Sequence, residues 1–421
     1  MKQWAETNCP GVKKCMTLNR MGRGALASIL SLAMGFGMTA CTHDYTVSYV
    51  YMTTAKANPG LINAYEVDYQ TGTLQQTPDS PIPSGGRNPI TLVATPNNKF
   101  LYVVHHDDSS VVEFAIGTDG KLYPQTTYDL GKGTSSATLP SYPTAAAIDP
   151  DGKFLYVTFT YQGGYTTALQ GPGGVAVFPI NADNSLGAPS IVNVGRNPVG
   201  IVASSPNHFV YVIEQDAATS ANLLGFSADA TTGMLTPLPG VTINAGNVPS
   251  TGFASGLSPS AIVEDANGQH LYVTDSTANQ VVGYAVATNG VPSVLANGAV
   301  TTDTMPVGLT IDYTGKFLYV VNYLGGSIDG FTFGANGEPI PSGVAQRTQA
   351  GTGPTCVTTN SHVSNPTTAQ GIYLFVSNSL SNSVTGEQIN PTTGALKEII
   401  NNPFSSATLP TCLVSVAAFP H

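Results

Sequence analysis

One unit returns seven times along this chain, and that repetition limits the fold more than any other feature of the sequence. A short hydrophobic run with a central aromatic recurs as Val50-Tyr51-Met52, Leu101-Tyr102-Val103, Leu155-Tyr156-Val157 and Val210-Tyr211-Val212. It continues as Leu271-Tyr272-Val273, Leu318-Tyr319-Val320 and Leu374-Phe375-Val376. A proline opens a second, small-residue run at Pro89, Pro143, Pro198, Pro259, Pro306, Pro354 and Pro410. A third run carries Tyr65, Phe114, Phe178, Phe226, Tyr284 and Phe331, and Glu387 breaks that column. Turns follow at Gly72, Gly120, Asn184, Gly233, Gly290, Gly337 and Gly394. Four short alternating runs per unit, separated by Gly, Asn and Asp turns, predict a four-stranded antiparallel sheet. Seven such sheets bury both faces only by stacking radially, so the expectation is an all-β, seven-bladed β-propeller. The chain opens on a second strand and closes on a first, so the segment Thr411 to Pro420 should complete the blade begun by residues 45–80. That closure removes a free edge from the ring.

Composition agrees. Glycine and proline make up 75 of 421 residues, too many breakers for a helical protein, while 42% hydrophobic residues suffice for a large core. Charged residues are only 10%, so ion-pair networks are not the main organising force.

Residues 1–40 differ from the rest. Lys2, Lys13, Lys14, Arg20 and Arg23 precede an uncharged stretch from Gly24 to Ala40, which reads as an export signal too short to span a bilayer comfortably. It ends in Met38-Thr39-Ala40-Cys41, which resembles the bacterial lipobox and implies lipidation of Cys41. The expected organisation is a signal peptide at 1–40, a short tether at 41–44 and a propeller at 45–421, held in the cell envelope through Cys41. Removing residues 1–40 leaves 10 Lys/Arg against 24 Asp/Glu, a net charge of −14. Such a surface excludes a phosphate-backbone binder, so nucleic acid is not an expected partner. Cys356 and Cys412 remain. They stand two residues after consecutive repeat prolines, and they are expected to be reduced thiols on inner strands too far apart to bond.

The segments Asp149-Pro150-Asp151-Gly152-Lys153-Phe154-Leu155-Tyr156-Val157 and Asp312-Tyr313-Thr314-Gly315-Lys316-Phe317-Leu318-Tyr319-Val320-Val321-Asn322 carry a family resemblance. Both are similar to the blade signature of the lactonase family of seven-bladed propellers, the 6-phosphogluconolactonase type, and the second also resembles the Tyr-Val-Thr-Asn surface repeats. The likeness covers residues 45–421. It implies hydrolytic residues on the innermost strands, in a Pro-Arg-His segment and an acid at the same offset of a neighbouring blade. This chain departs there. One residue after each repeat proline stand Ile90, Thr144, Val199, Ser260, Val307, Thr355 and Thr411, and two after stand Thr91, Ala145, Gly200, Ala261, Gly308, Cys356 and Cys412.

Three residues after each repeat aromatic lies a second ring: Thr54, His105, Phe159, Glu214, Asp275, Asn322 and Asn378. Glu214 and Asp275 match positions where the family carries acids, and with His105 they are the catalytic candidates if the protein hydrolyses a lactone. Asn322 is a ligand-binding candidate, and so are Arg87 and Arg196 of the repeated Gly-Arg-Asn-Pro loops and Tyr161 and Tyr165 of the longest insertion. The run His105-His106-Asp107-Asp108 lacks ligand spacing, so no metal and no cofactor are expected. The leading function is recognition of a small molecule or protein by a monomer at the funnel face, without catalysis. Hydrolysis of a non-phosphorylated sugar lactone is the alternative.

Overall fold

Each repeat proline begins an innermost strand, and in all seven blades the residue after it is bulged, so two residues face one on the second strand. Proline has no N–H to give the ladder and sits where the bulge interrupts it. The computed structural model describes residues 46–130, 141–160, 172–204, 207–215, 222–244, 250–342, 347–360 and 372–418. Among these, every regular element is a strand.

We number the blades from Pro89. Blade 1 consists of Pro89–Ala94, Phe100–His105, Ser110–Ile116 and Leu122–Asp129. Blade 2 consists of Pro143–Ile148, Phe154–Phe159, Gly173–Pro179 and Ser190–Gly195. The innermost strands of blades 3 to 6 are Pro198–Ala203, Pro259–Glu264, Pro306–Ile311 and Pro354–Thr359, each followed by its own second, third and fourth strands. Blade 7 joins the two ends of the chain. Its inner strand Pro410–Ala417 pairs antiparallel with Thr46–Thr54, followed by Leu61–Asp68 and Leu74–Gln76. Each inner strand packs against the next, and Pro410–Ala417 packs against Pro89–Ala94, so the ring is closed.

The aromatic and turn columns meet across the blade seams. Tyr51, Tyr211, Tyr272 and Tyr319 donate their hydroxyls to the carbonyls of Gly120, Gly290, Gly337 and Gly394, each in the next blade, at 2.7–2.8 Å. Tyr102 reaches Asn184 in the same way. Phe375 of blade 6 has no hydroxyl, and Tyr373 bonds the carbonyl of Tyr69 instead, at 2.9 Å. A further aromatic column went unread in the sequence. Tyr49, Phe154, Phe209, Phe317 and Tyr373 stand two residues before the central position, and each lies against the turn glycine of the next blade. At Gly290 φ is +82°, and a Cβ there would stand 2.7 Å from the Phe209 ring. Only glycine fits.

Glu387 replaces the aromatic of its column and is itself buried. Burial, aided by the charge of Glu398, pushes its carboxyl up to about 7. One of its oxygens, Oε2, has no hydrogen-bond partner.

Cys356 and Cys412 form a disulfide, with Cα atoms 4.9 Å apart, which corrects the expectation of two separate thiols. The strands converge at the axis more closely than that expectation allowed. A Cβ on Gly308 would already stand 3.5 Å from the Cα of Cys356. The bond ties the C-terminal inner strand to blade 6 and spans 56 residues of sequence.

Two predictions follow from these seams. Tyr211→Phe leaves the Gly290 carbonyl unpaired and should lower unfolding free energy by about 1–2 kcal/mol. Gly290→Ala should cost more, through strain and overlap together; unchanged urea midpoints in both would refute the seam argument. Peptide mapping without reductant should recover a linked Cys356–Cys412 pair, and reduction should remove about 2–4 kcal/mol of stability. Two free peptides, or identical melting with and without reductant, would contradict the clasp.

Candidate functional site

The loops leading into the inner strands gather on one face with the turns that follow the second strands. At three of the bulges the hydroxyl after the proline bonds the next blade. Thr144 Oγ1 donates to the Pro198 carbonyl (2.6 Å), Ser260 Oγ to Pro306 (2.7 Å) and Thr411 Oγ1 to Pro89 (2.7 Å), each in the following blade. The same hydroxyls meet Thr158, Thr274 and Thr53 on their own second strands. Glu264, at the far end of its strand, is the only charged residue on the seven inner strands. A reacting lactone at the axis would therefore meet hydroxyls, methyls and a disulfide.

The second ring braces the lead-in loops. All seven residues from Thr54 to Asn378 are buried. Glu214 accepts the amide of Arg196 at 3.0 Å and Asn222 Nδ2 at 2.8 Å, and the lead-in Gly195 leaves room for its carboxylate. Asp275 accepts four backbone amides, from Leu257 (2.7 Å), Ser258 (3.1 Å), Thr277 (3.1 Å) and Ala278 (3.0 Å). Asn378 Oδ1 takes the amide of Gly351 at 3.1 Å. Asn322 Nδ2 donates to Asp329 at 3.1 Å, and Arg347 holds that carboxylate from the other side at 2.8 Å. Buried carboxylates spent on backbone amides are poorly placed to take a proton from water in an open site. Glu214, Asp275 and His105 close the second strands of blades 3, 4 and 1.

His105 lies beneath the lead-in Gly86 and bonds Ser84 Oγ through Nε2 at 3.0 Å, while Nδ1 has no partner. Burial drives its pKa down to about 4. His106 turns the other way, bonding Asp107 Oδ1 at 2.7 Å and lying against Tyr142. No group of three possible metal ligands occurs among the described residues.

Arg87 is exposed. Asp108 holds both its backbone amide and its Nε at 2.6 Å, and Nη2 reaches the Asp107 carbonyl at 3.2 Å. Arg196 is half-buried in the corresponding loop of blade 3. Tyr161, Tyr165 and Cys41 lie outside the described residues. Between blades 7 and 1 this face opens a cavity of about 420 Å³, lined by Ala55, Lys56, Ala57, Asn58, Arg87, Asn88, Asp107 and Leu409. Of these, only Arg87 was legible as a candidate. Lys56 and Asn58 follow one second strand without a motif, and Leu409 reaches them from the other end of the chain.

Comparison with known proteins now places the fold. The profile described as "Lactonase, 7-bladed beta-propeller" matches residues 39–160 and 244–370, more than half of the sequence. The chain belongs to that family. This lactonase-family propeller is similar to the 6-phosphogluconolactonase of Erwinia tasmaniensis, 23% identical over 297 residues, or 62% of this chain and 84% of that protein. It is also similar to the 6-phosphogluconolactonase of Pectobacterium carotovorum, 28% identical over 280 residues, or 58% of this chain and 78% of that one. Its fold is similar to that of the periplasmic gluconolactonase of Pseudomonas aeruginosa, with a TM-score of 0.66 at 20% identity, covering 89% of this chain and 100% of that one.

The buried imidazole generates a pH prediction. The folded pKa of His105 lies below its unfolded value of 6.5, so its contribution is complete above pH 6.5 and is lost as pH falls to about 4. The loss is of the order of 3 kcal/mol. His105→Gln should flatten the stability curve across that window; parallel curves for wild type and variant would show that the imidazole is not excluded from water.

Proposed function

We propose that this lactonase-family propeller binds a small ligand on its lead-in face and does not hydrolyse it. One observation carries the reading: Glu214, Asp275 and His105 are buried and hydrogen-bonded to the lead-in segments, while exposed polar groups converge on the cavity between blades 7 and 1. The absence of arginine, histidine and acid from the first two positions after each proline points the same way. Arg87 belongs to the proposed binding surface, with Arg196 as a further contact; Asn322 is buried against Asp329 and is not exposed to a ligand, and Tyr161 and Tyr165 lie outside the described residues. The basic and apolar run before Cys41 supports export and a lipid anchor in the bacterial envelope, with the propeller acting as a monomer.

Hydrolysis of a sugar lactone is the second reading. Membership of the lactonase family and the names of the relatives favour it. It requires a base and an oxyanion donor, which Glu214, Asp275 and His105 would have to supply after leaving their present bonds.

A single preparation separates the two. Full-length protein expressed in a bacterium should fractionate with membranes, and Cys41→Ser should move it to the soluble fraction. Purified from that host, it should leave a panel of aldonolactones at their spontaneous hydrolysis rates. Turnover above that rate, abolished by Glu214→Gln, would establish the enzyme instead. Membrane association unchanged by Cys41→Ser would remove the anchor.

A further inference from the structure

We propose that the lead-in face carries a docking surface for a short, uncharged, apolar segment of another polypeptide, laid across the mouths of blades 4 to 7. It is separate from the small-ligand reading and does not rest on it. Four leucines mark the surface: Leu257 is 72% exposed, Leu324 67%, Leu380 57% and Leu409 38%. Leu257 and Leu409 stand in the lead-in loops of blades 4 and 7, and Leu324 and Leu380 in the turns after the second strands of blades 5 and 6. The other exposed large hydrophobic residues among those described, such as Met234 and Ile400, belong to the outer strands and the turns beside them.

Apolar side chains stand at this mouth against a conformational cost. The residue before the repeat proline is left-handed in blades 1, 3, 5 and 7, with φ of +51° at Asn88, +46° at Asn197, +61° at Met305 and +62° at Leu409. Asparagine tolerates that region, whereas bulky side chains are outliers in it. Blades 5 and 7 therefore strain the backbone to present Met305 and Leu409 where asparagine would sit at ease. Blade 6 reaches the same end differently. Gly353 is left-handed at φ +64°, and a Cβ on it would stand 2.7 Å from Leu380 Cγ, so the missing side chain lets Leu380 fold in over the lead-in loop. Backbone bonds pin the surface before a partner arrives, which lowers the ordering cost of binding. Leu380 N donates to Thr352 O (3.1 Å), Gly325 N to Thr304 O (3.0 Å), Ala55 N to Leu409 O (2.9 Å) and Leu257 N to Asp275 Oδ2 (2.7 Å).

The chemistry of the surface selects the occupant. Among the described residues, Asp303 is the one charged side chain in the lead-in loops and turns of blades 4 to 6, and Ser327 (2.8 Å) and Arg347 (3.5 Å) hold it. A charged segment would lose water here without gaining a counter-ion. Thr304, Thr352 and Thr408 repeat two residues before the prolines of blades 5, 6 and 7, and all three are exposed. Hydroxyls alternating with leucines can bond the N–H and C=O groups of a peptide, which an acyl chain does not have. The four leucines expose on the order of 400 Å², short of the roughly 800 Å² per partner that a stable dimer buries, which disfavours a second copy of this chain. An anionic bilayer is repelled by the chain's formal charge of −10.

Phage panning of random nonapeptides against the full-length protein tests the surface, followed by anisotropy titration of the leading selected peptide with blocked ends. Selected sequences should be uncharged and rich in Leu, Ile, Phe or Met. Leu324→Asp and Leu380→Asp should each weaken that peptide about tenfold or more without changing the melting temperature. Ile400→Asp, at a comparably exposed outer position (69%), should leave affinity unchanged. Met305→Asn and Leu409→Asn should lower affinity while melting no lower than wild type, because strain is relieved as contact is lost. No enrichment, a charged consensus, affinity indifferent to the Leu324 and Leu380 variants, or equal loss with Ile400→Asp would each overturn the proposal. So would asparagine variants that melt lower and bind normally. A dimer in sedimentation, or partition onto phosphatidylcholine vesicles, that disappears with Leu380→Asp would overturn it by naming a different occupant.

Discussion

The ring depends on a tyrosine hydroxyl that crosses from one blade to the turn of the next. The bond unites two sequence columns that have no local reason to coincide. The aromatic must be long enough to span the seam, and the turn must present a bare carbonyl, which glycine at positive φ does without a side chain in the way. A second ring, two residues earlier, closes over the same glycine. Each blade is thus both clasp and eye, and none has a complete surface until its neighbour is in place. The tyrosines involved are so deeply buried that Tyr51 and Tyr319 are held far above the ordinary phenol range.

This dependence explains why the fold was legible in the sequence. Alternation, turn glycines and lead-in prolines are local signals, and they recur because the same seam is solved repeatedly. The exceptions are equally informative. Tyr156 of blade 2 makes no such bond among the described residues, and where Phe375 lacks the hydroxyl the seam is bonded from Tyr373, two residues away on the same strand, as Tyr49 bonds Thr118. Glu387 is a further exception, a carboxyl in an aromatic's place, whose pKa burial pushes up to about 7.

The face was less legible. Glu214 and Asp275 occupy positions where acids suggest chemistry, yet the second strand turns them inward, under loops whose amides need acceptors. Sequence offset cannot separate an acid that faces a substrate from one that caps its own lead-in loop, because both stand at the same distance from the repeat aromatic. The disulfide was missed for a related reason. Proximity of Cys356 and Cys412 depends on how tightly inner strands crowd the axis, and only the small residues at Gly200 and Gly308 hinted at that crowding. The cavity was illegible altogether, because its walls come from residues 55–58, 87–88, 107 and 409, joined only when the ring shuts.

The register of blade 7 also sets an orientation. Thr54 stands opposite Pro410 on the lead-in face, whereas Ser48 stands opposite Ala417 and Val47 accepts the amide of Ala418 at the other end. Both ends of the described propeller therefore leave from the rim opposite the lead-in loops, about 25 Å away along strands of this length. A partner, a surface or a fused domain attached at either end sits behind the disc. The lead-in loops are thus on the side away from whatever is joined to either end.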